Sequence, residues 1–584
     1  MRKANFLSSA RVFSLLFFFI IVKILFGCNK SDNDADVILF NGKIITVDDD
    51  FSIQEAVAIK KGKILAVGNN KEIAKLIGGA TKKINLNGKT VIPGINEGHA
   101  HPLTASISEY FEPIPDVHSI RELLNWISSE AVKKDTGEWI IHPKFFATRM
   151  LEMRQPTKAE LDSVAPHNPI FLDGSFGGMV NTKALQVSDI TSATQHQGIL
   201  KEENSGEPTG LLQSSAFGLL ALPKHNNLDE TQKLKLLKEM LYLYNSVGIT
   251  SICSGDGTPE DIKLYKKLQE TGNLTVRIFQ NLYTPFNSHA TLNEMKAALK
   301  AFDYTTGQGD EWVKIGALKV LVDGGVLTGT AYLREPWGEG AKDIYGITDL
   351  NYRGILNINK EELARIITAA NEFNWKFTAH VTGGGGVDVL LEAMEEVHKI
   401  NPINTRRFSI IHGNFFTPQA IEKMKKMGVY ADMQPAWFLK DADLLNQILG
   451  EKRINTFHPY KSLFKAGIVV NGGSDHMVKL DSYTSINPYN PFIAMWSVIT
   501  RKTERGSVYV PQEAITREQA LKMYTINNAY ASFEENIKGS IEEGKLADLV
   551  ILSDDILTCP ENNIKDIKAL LTMIDGKIVY EKNE

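Results

Sequence analysis

Between residues 90 and 473 the chain passes through eight short apolar runs: TVIPGIN, GITSICS, TVRIFQNLY, ALKVLVDG, KFTAHV, RFSIIHG, GVYADMQ and GIVVNGG. Amphipathic stretches such as LDETQKLKLLKEMLYLYNSV and VDVLLEAMEEVHKI separate most of them. Strand-like runs alternating with helical ones predict parallel strands covered by helices, and eight such strands close a barrel. About 150 residues separate the first run from the second, too many for a connecting loop. Residues 103–235 are therefore expected to form an inserted subdomain above the barrel mouth, where loops following the strands emerge.

Both chain ends have a different texture. ADVILFNGKIITVD and EAVAIKKGKILAVG near the start, and GSIEEGKLADLVILSDD and IKALLTMIDGKIVYEK near the end, are short apolar runs broken by turn pairs. The expected fold is α/β, a (β/α)8 or TIM barrel over residues 93–537. Residues 36–92 and 538–584 would form one small β-sandwich domain built from both chain ends.

With 43% hydrophobic and 23% charged residues, the 584-residue chain can bury a sizeable core. Arg2, Lys3, Arg11 and Lys23 are the only charged residues before Cys28. Without those four groups the formal charge falls from −5 to −9, which speaks against a nucleic-acid partner. The basic start followed by VFSLLFFFIIVKILFG reads as an export signal. Its ending, Leu25-Phe26-Gly27-Cys28, resembles a bacterial lipobox. Residues 1–28 are thus expected to be a lipoprotein signal ending in a lipidated Cys28, with residues 29–35 as a polar tether. The mature protein would be exported and held on a bacterial membrane, on the periplasmic or cell-surface side. Cys253 and Cys559 are expected to be free thiols, and a homodimer is one candidate assembly.

Six metal-compatible side chains stand at or near the C-terminal ends of the barrel runs: His99, His101, Lys319, His380, His412 and Asp475. His-x-His on a strand aims both imidazoles at one face, because side chains alternate with period two. His380 and His412 end successive runs and are each followed within two residues by polar or glycine positions. Neutral imidazoles at such a mouth suit Zn²⁺, with Mn²⁺ or Fe²⁺ as alternatives. Lys319 is apolar-flanked, so its ammonium either pairs with Asp323 or reacts with CO₂ to give an anionic carbamate. A carbamate can bridge two cations roughly 3.5–4 Å apart. One or two divalent ions are thus expected. Asp475, after Gly472, Gly473 and Ser474, is positioned to bind metal and to carry a proton. Asp323, Gln434 and Trp437 are weaker candidates for substrate contact, and Arg334 and Trp337 are candidates for substrate contact or, the favoured reading, for packing at the surface. His476 should point away by alternation.

PGINEGHAH, GEPTGLLQ, GITSICSGDG, HGNFF, DMQPAWF, GSDH and GSIEEGKLADLVIL occur here in the order seen in the amidohydrolase superfamily, which the chain resembles from residue 36 to its end. LDSVAPHNPIFLDG and MVNTKAL resemble the amidohydrolase 3 branch, which includes N-substituted formamide deformylases. The resemblance implies hydrolysis of C–N bonds other than peptide bonds in a small-molecule amide. It also implies one metal held by His99, His101 and Asp475, a second by His380 and His412, and Lys319 as the carbamate bridge. Three positions depart from the pattern. Glu97 replaces an Asp, Phe176 lies at or beside a His position, and Gly384 in the run GGGG replaces another Asp. These changes predict a less polar substrate pocket, or one read by backbone groups of the glycine run. A deaminase or cyclic-amide hydrolase would use the same residues. A lipid-anchored binding protein with a structural metal is the reading from another class.

Overall fold

The computed structural model describes residues 34–111, 113–223 and 228–582. Cys28 and the expected export signal, residues 1–28, lie outside them. Eight parallel strands form one sheet in chain order: β1 Ile95–Ala100, β2 Ile249–Ser254, β3 Arg277–Tyr283, β4 Val313–Leu321, β5 Phe377–Val381, β6 Ser409–His412, β7 Tyr430–Met433 and β8 Val470–Gly472. The seam between β8 and β1 is closed by backbone contacts just past the ends of both strands. The Asp475 amide donates to His99 O at 2.7 Å, the His101 amide donates to His476 O at 2.8 Å, and Ala100 bridges His476 in parallel. A Cβ on Gly98 would stand 2.7 Å from Gly472 O, so the two strands can approach there only because position 98 has no side chain.

The first predicted strand needs correction. TVIPGIN spans two sheets. Thr90–Pro93 pairs with Lys43–Ile45 and Leu549–Leu552 in the sandwich, and the barrel strand begins only at Ile95. Both pieces are apolar, so composition does not mark the break at Pro93-Gly94. The sandwich consists of a four-stranded sheet from residues 37–85 and a six-stranded sheet in which Leu549–Leu552, Ala569–Ile574 and Lys577–Glu581 join three strands from the N-terminal part. Leu39, Ile44, Val57, Val91, Ile551 and Met573 fill the space between these sheets.

Between β1 and β2 lies a five-stranded sheet, Ile140–His142, Ile170–Asp173, Gly177–Val180, Ile199–Lys201 and Pro208–Gln213, with helices Ile120–Lys133 and Lys158–Val164. Helix Glu230–Asn245 belongs with the barrel. Leu237, Met240, Leu241 and Tyr244 are buried in the same apolar cluster as the barrel strands. The inserted sheet shares a second core with other chain segments. Ile127, Phe145 and Leu172 meet Leu327, Trp337 and Tyr345 from the segment after β4, Phe415 from after β6, and Trp437, Phe438 and Phe457 from after β7. That shared core roofs the barrel mouth. No helix among the described residues is long and apolar enough to cross a membrane.

Candidate metal centre

All six strand-end candidates converge at the C-terminal end of the barrel. The His99 ring lies 5.2 Å from His101 and 5.8 Å from His412, and His380 lies 4.6 Å from His412, all edge-on. His99 and His412 are buried, and the side chain of Lys319 is 3% exposed. His412 and Asp475 have left-handed backbone, φ 70° and 58°. Such strain persists where surrounding structure holds it, and it concentrates at functional sites.

The tightest group is His99, His101 and Asp475, whose ligand atoms lie within 4.8 Å of one another. His99 Nε2 is 3.5 Å and His101 Nε2 3.2 Å from the same oxygen, Asp475 Oδ1. Neither nitrogen of His99 has a hydrogen-bond partner although both are buried. Stranded buried nitrogens are costly. A shared proton can serve one imidazole, whereas a cation serves both imidazoles and the carboxylate together, so these residues fit a metal ion.

Electrostatics agree with that fit. Burial pushes His99 and His412 well below the usual imidazole range, helped by Lys319 at His99 and by His380 at His412. Burial, with Lys319, takes His380 down to about 4. Three rings are thus neutral at pH 7, as metal ligands must be. His101 differs. Burial opposes its charge, but Asp256 and Asp475 raise it to about 9, so a proton takes the place of a cation there. Asp475, although burial opposes ionisation, is held well below the usual carboxylate range by its hydrogen bond to His101 and by the charge on that ring.

Each ring is oriented from behind. Gln434 Oε1 meets His412 Nδ1 at 2.8 Å, and Gly324 O meets His380 Nε2 at 3.2 Å. This leaves His412 Nε2 and His380 Nδ1 as the nitrogens available to a ligand. Asp432 Oδ2 lies 3.6 Å from His99 Nδ1, while Asp432 Oδ1 accepts from Gln434 Nε2 at 3.0 Å. Glu97 Oε1 accepts the amides of Ser474 at 2.6 Å and His99 at 3.1 Å, tying the ends of β8 and β1 together. Gln434→Leu should therefore weaken metal binding about 10- to 100-fold, measured by competition with a chelator. Unchanged affinity would show that His412 needs no such support.

A cavity of about 270 Å³ opens above these groups. His101, Lys319, His380, His412 and Asp475 form its floor, and Phe146, Phe176, Leu327, Trp437, Met477 and Ile486 supply apolar walls. Phe176 stacks on His380 at 5.0 Å and Trp437 on His412 at 4.7 Å. Asp323 and Gln434, expected to touch substrate, do not line it. The buried Asp323 carboxylate accepts the amides of Tyr332, Thr382 and Gly383 at 2.7–3.0 Å. Nor does Asp323 pair with Lys319, whose nearest acid is Asp256 at 3.5 Å. The glycine run is also absent from the walls. It starts the helix Gly384–Ile400, and a Cβ on Gly383 would stand 2.1 Å from Tyr332 O. Arg334 fills the space beside Gly384 and pairs with Asp388 at 2.6 Å. Trp337 is buried in the roof, and His476 turns away to Tyr244 Oη and Lys479 O, both at 2.7 Å. Cys253 and Cys559 are free.

Asp256, which sequence reasoning did not single out, sits just past β2. Its Oδ1 is 3.1 Å from His101 Nδ1, and its Oδ2 accepts from Tyr283 Oη at 2.7 Å. Its position directly after a strand, in SGDG, was the available signal.

Residues 82–580 match the amidohydrolase family model. The chain belongs to the amidohydrolase family. An N-substituted formamide deformylase from Arthrobacter pascens is 27% identical, over 94% of this chain and 98% of its own. The putative amidohydrolase YtcJ of Bacillus subtilis is 26% identical over 93% and 99%. An uncharacterized metal-dependent hydrolase from Pyrococcus horikoshii has the same fold, with a TM-score of 0.64 at 21% identity, covering 90% of this chain and 99% of its own. This amidohydrolase thus comes from a metal-dependent family and carries a candidate metal site at His99, His101 and Asp475.

Proposed function

We propose that this amidohydrolase hydrolyses the C–N bond of a small amide, N-acyl or N-formyl compound. The observation that carries the reading is the convergence of His101 and the stranded His99 on one oxygen of Asp475 beneath a cavity with largely apolar walls. The N-substituted formamide deformylase supports the substrate class. A divalent ion held there, zinc foremost, would supply Lewis acidity and lower the pKa of water toward about 7.

The chain's own groups do the rest. Asp475 takes the proton of the attacking water and passes it to the leaving nitrogen. His99 and His101 approach its Oδ1, which leaves Oδ2 for that transfer. The apolar walls would hold the acyl or N-substituent. His380, His412 and a carboxylated Lys319 would complete a second metal position. Lys319→Ala should then reduce the bound metal from two equivalents to one, read by elemental mass spectrometry; two equivalents in that variant would sink the carbamate bridge.

The function itself is tested with zinc-loaded protein and a panel of N-substituted formamides, N-acyl amines, cyclic amides and aminopurines. Release of formate or another acid from the first two classes, abolished by chelation and restored by Zn²⁺ or Mn²⁺, is the expected result. Turnover confined to aminopurines or cyclic amides would move the assignment to those reactions. Tight binding of amides without turnover would overturn hydrolysis. Anchoring through a lipidated Cys28 is part of the same proposal, and the mass of the mature N-terminal peptide tests it.

A further inference from the structure

The inserted subdomain lowers one cation into the cavity. Lys144 follows the strand Ile140–His142, lines the cavity, and donates from Nζ to Ser175 Oγ. Ser175, also in the cavity wall, is held at φ 70°. Four other cations around this space are paired. Lys319 has Asp256, Arg149 has Asp441 at 3.0 Å, Lys440 has Glu504, and Lys479 has Asp116 at 3.1 Å. Lys144 forms no ion pair among the described residues. Asp173 and Asp475 act on it only through their field, and burial pushes its ammonium below the usual range.

A second observation lies behind it. A smaller crevice adjoins the cavity and shares Lys144, Phe146 and Ile486 with it. Arg149, Lys440 and Lys479 line that crevice, each already paired with an acid, and the exposed Arg505 adds a cation with no ion pair among the described residues. His142, 2% exposed, turns an unpartnered Nε2 within the same wall. A half-buried ammonium without an ion pair is costly, and an anion brought to it offsets that cost. The surplus of positive charge in the crevice would draw anions toward the cavity.

We propose that Lys144 anchors an anionic oxygen group on the substrate, a carboxylate in the simplest case, so that the amides taken by this site are acidic ones. The inference deepens the hydrolase reading above and rests on it for the word substrate. The anion site itself is a binding property that stands or falls separately.

The experiment uses 3-phenylpropane-1-sulfonate and 3-phenylpropanol, binding to the metal-loaded protein by calorimetry. Neither has a C–N bond to cleave, and a sulfonate is a poor metal ligand, so it reports the ammonium. Wild type should bind the sulfonate more tightly than the alcohol. Lys144→Met should weaken the sulfonate roughly 30-fold or more and leave the alcohol unchanged. Lys144→Arg should restore most of the difference. Equal affinity of wild type for the two probes would overturn the proposal. So would equal sulfonate affinity in Lys144→Met, or an equal loss for both probes. These outcomes hold whether or not any amide is hydrolysed. If hydrolysis is established, the matched pair of racemic N-formylphenylalanine and its primary amide adds a kinetic readout. Lys144→Met should raise KM for the acid alone, and a change confined to kcat for both compounds would overturn an anchoring role.

Discussion

Asp475→Asn should lower kcat about 10³-fold at saturating metal, with the melting midpoint close to wild type. The substitution keeps side-chain volume and one oxygen for the ring nitrogens that meet at Asp475 Oδ1. It removes the charge and the ability to accept a proton. The backbone amide of Asp475 still donates to His99 O, so the barrel seam is kept. The rate must be followed across a metal titration, because a weaker ligand also lowers occupancy. A rate within tenfold of wild type at full occupancy would remove Asp475 from proton transfer and leave it a ligand alone.

Arg277→Met should cost about 3–5 kcal/mol, the usual penalty for breaking a buried ion pair from one side. Arg277, on β3, donates from Nε at 2.7 Å and from Nη2 at 3.0 Å to the carboxylate of Asp548. Both side chains are at most 5% exposed. Asp548 precedes the sandwich strand Leu549–Leu552 and also accepts the Asp575 amide at 2.9 Å, while its carbonyl accepts the Gly94 amide at 2.7 Å. The pair therefore joins barrel and sandwich where the chain crosses between them. Removing the guanidinium leaves the carboxylate buried with a single backbone donor. Urea denaturation of Arg277→Met and of the double variant with Asp548→Leu checks this, and the double variant should recover part of the loss. A cost under about 1 kcal/mol for the single variant would show that water reaches Asp548.

The eight barrel runs were legible because a strand covered on both faces is continuously apolar, and the helices between them carry their own period. His380 and His412 were legible for the same reason: each is a polar residue ending an apolar run. What escaped depends on the third dimension. Asp432 lies inside β7, and only the barrel's register brings it 3.6 Å from His99. Asp256 resembles an ordinary turn residue until His101 is placed above it. Asp323 shares strand parity with Lys319, but parity does not say how high each side chain stands, and the amides of Thr382 and Gly383 capture Asp323 first. Lys144 belongs to an insert whose orientation no periodicity dictates.

The roof is not a cassette. Its apolar interior draws on the insert and on three other stretches of chain, after β4, β6 and β7. Excising the insert would lay bare Trp437, Phe438 and Phe457, so shortening the protein this way should yield an aggregating barrel rather than a minimal enzyme. Exchanging substrate preference with a relative would, for the same reason, require transplanting all four stretches together. A lineage drifting toward a new substrate is confined to small steps at wall positions such as Phe176 and Met477, which lie outside the vault's apolar core.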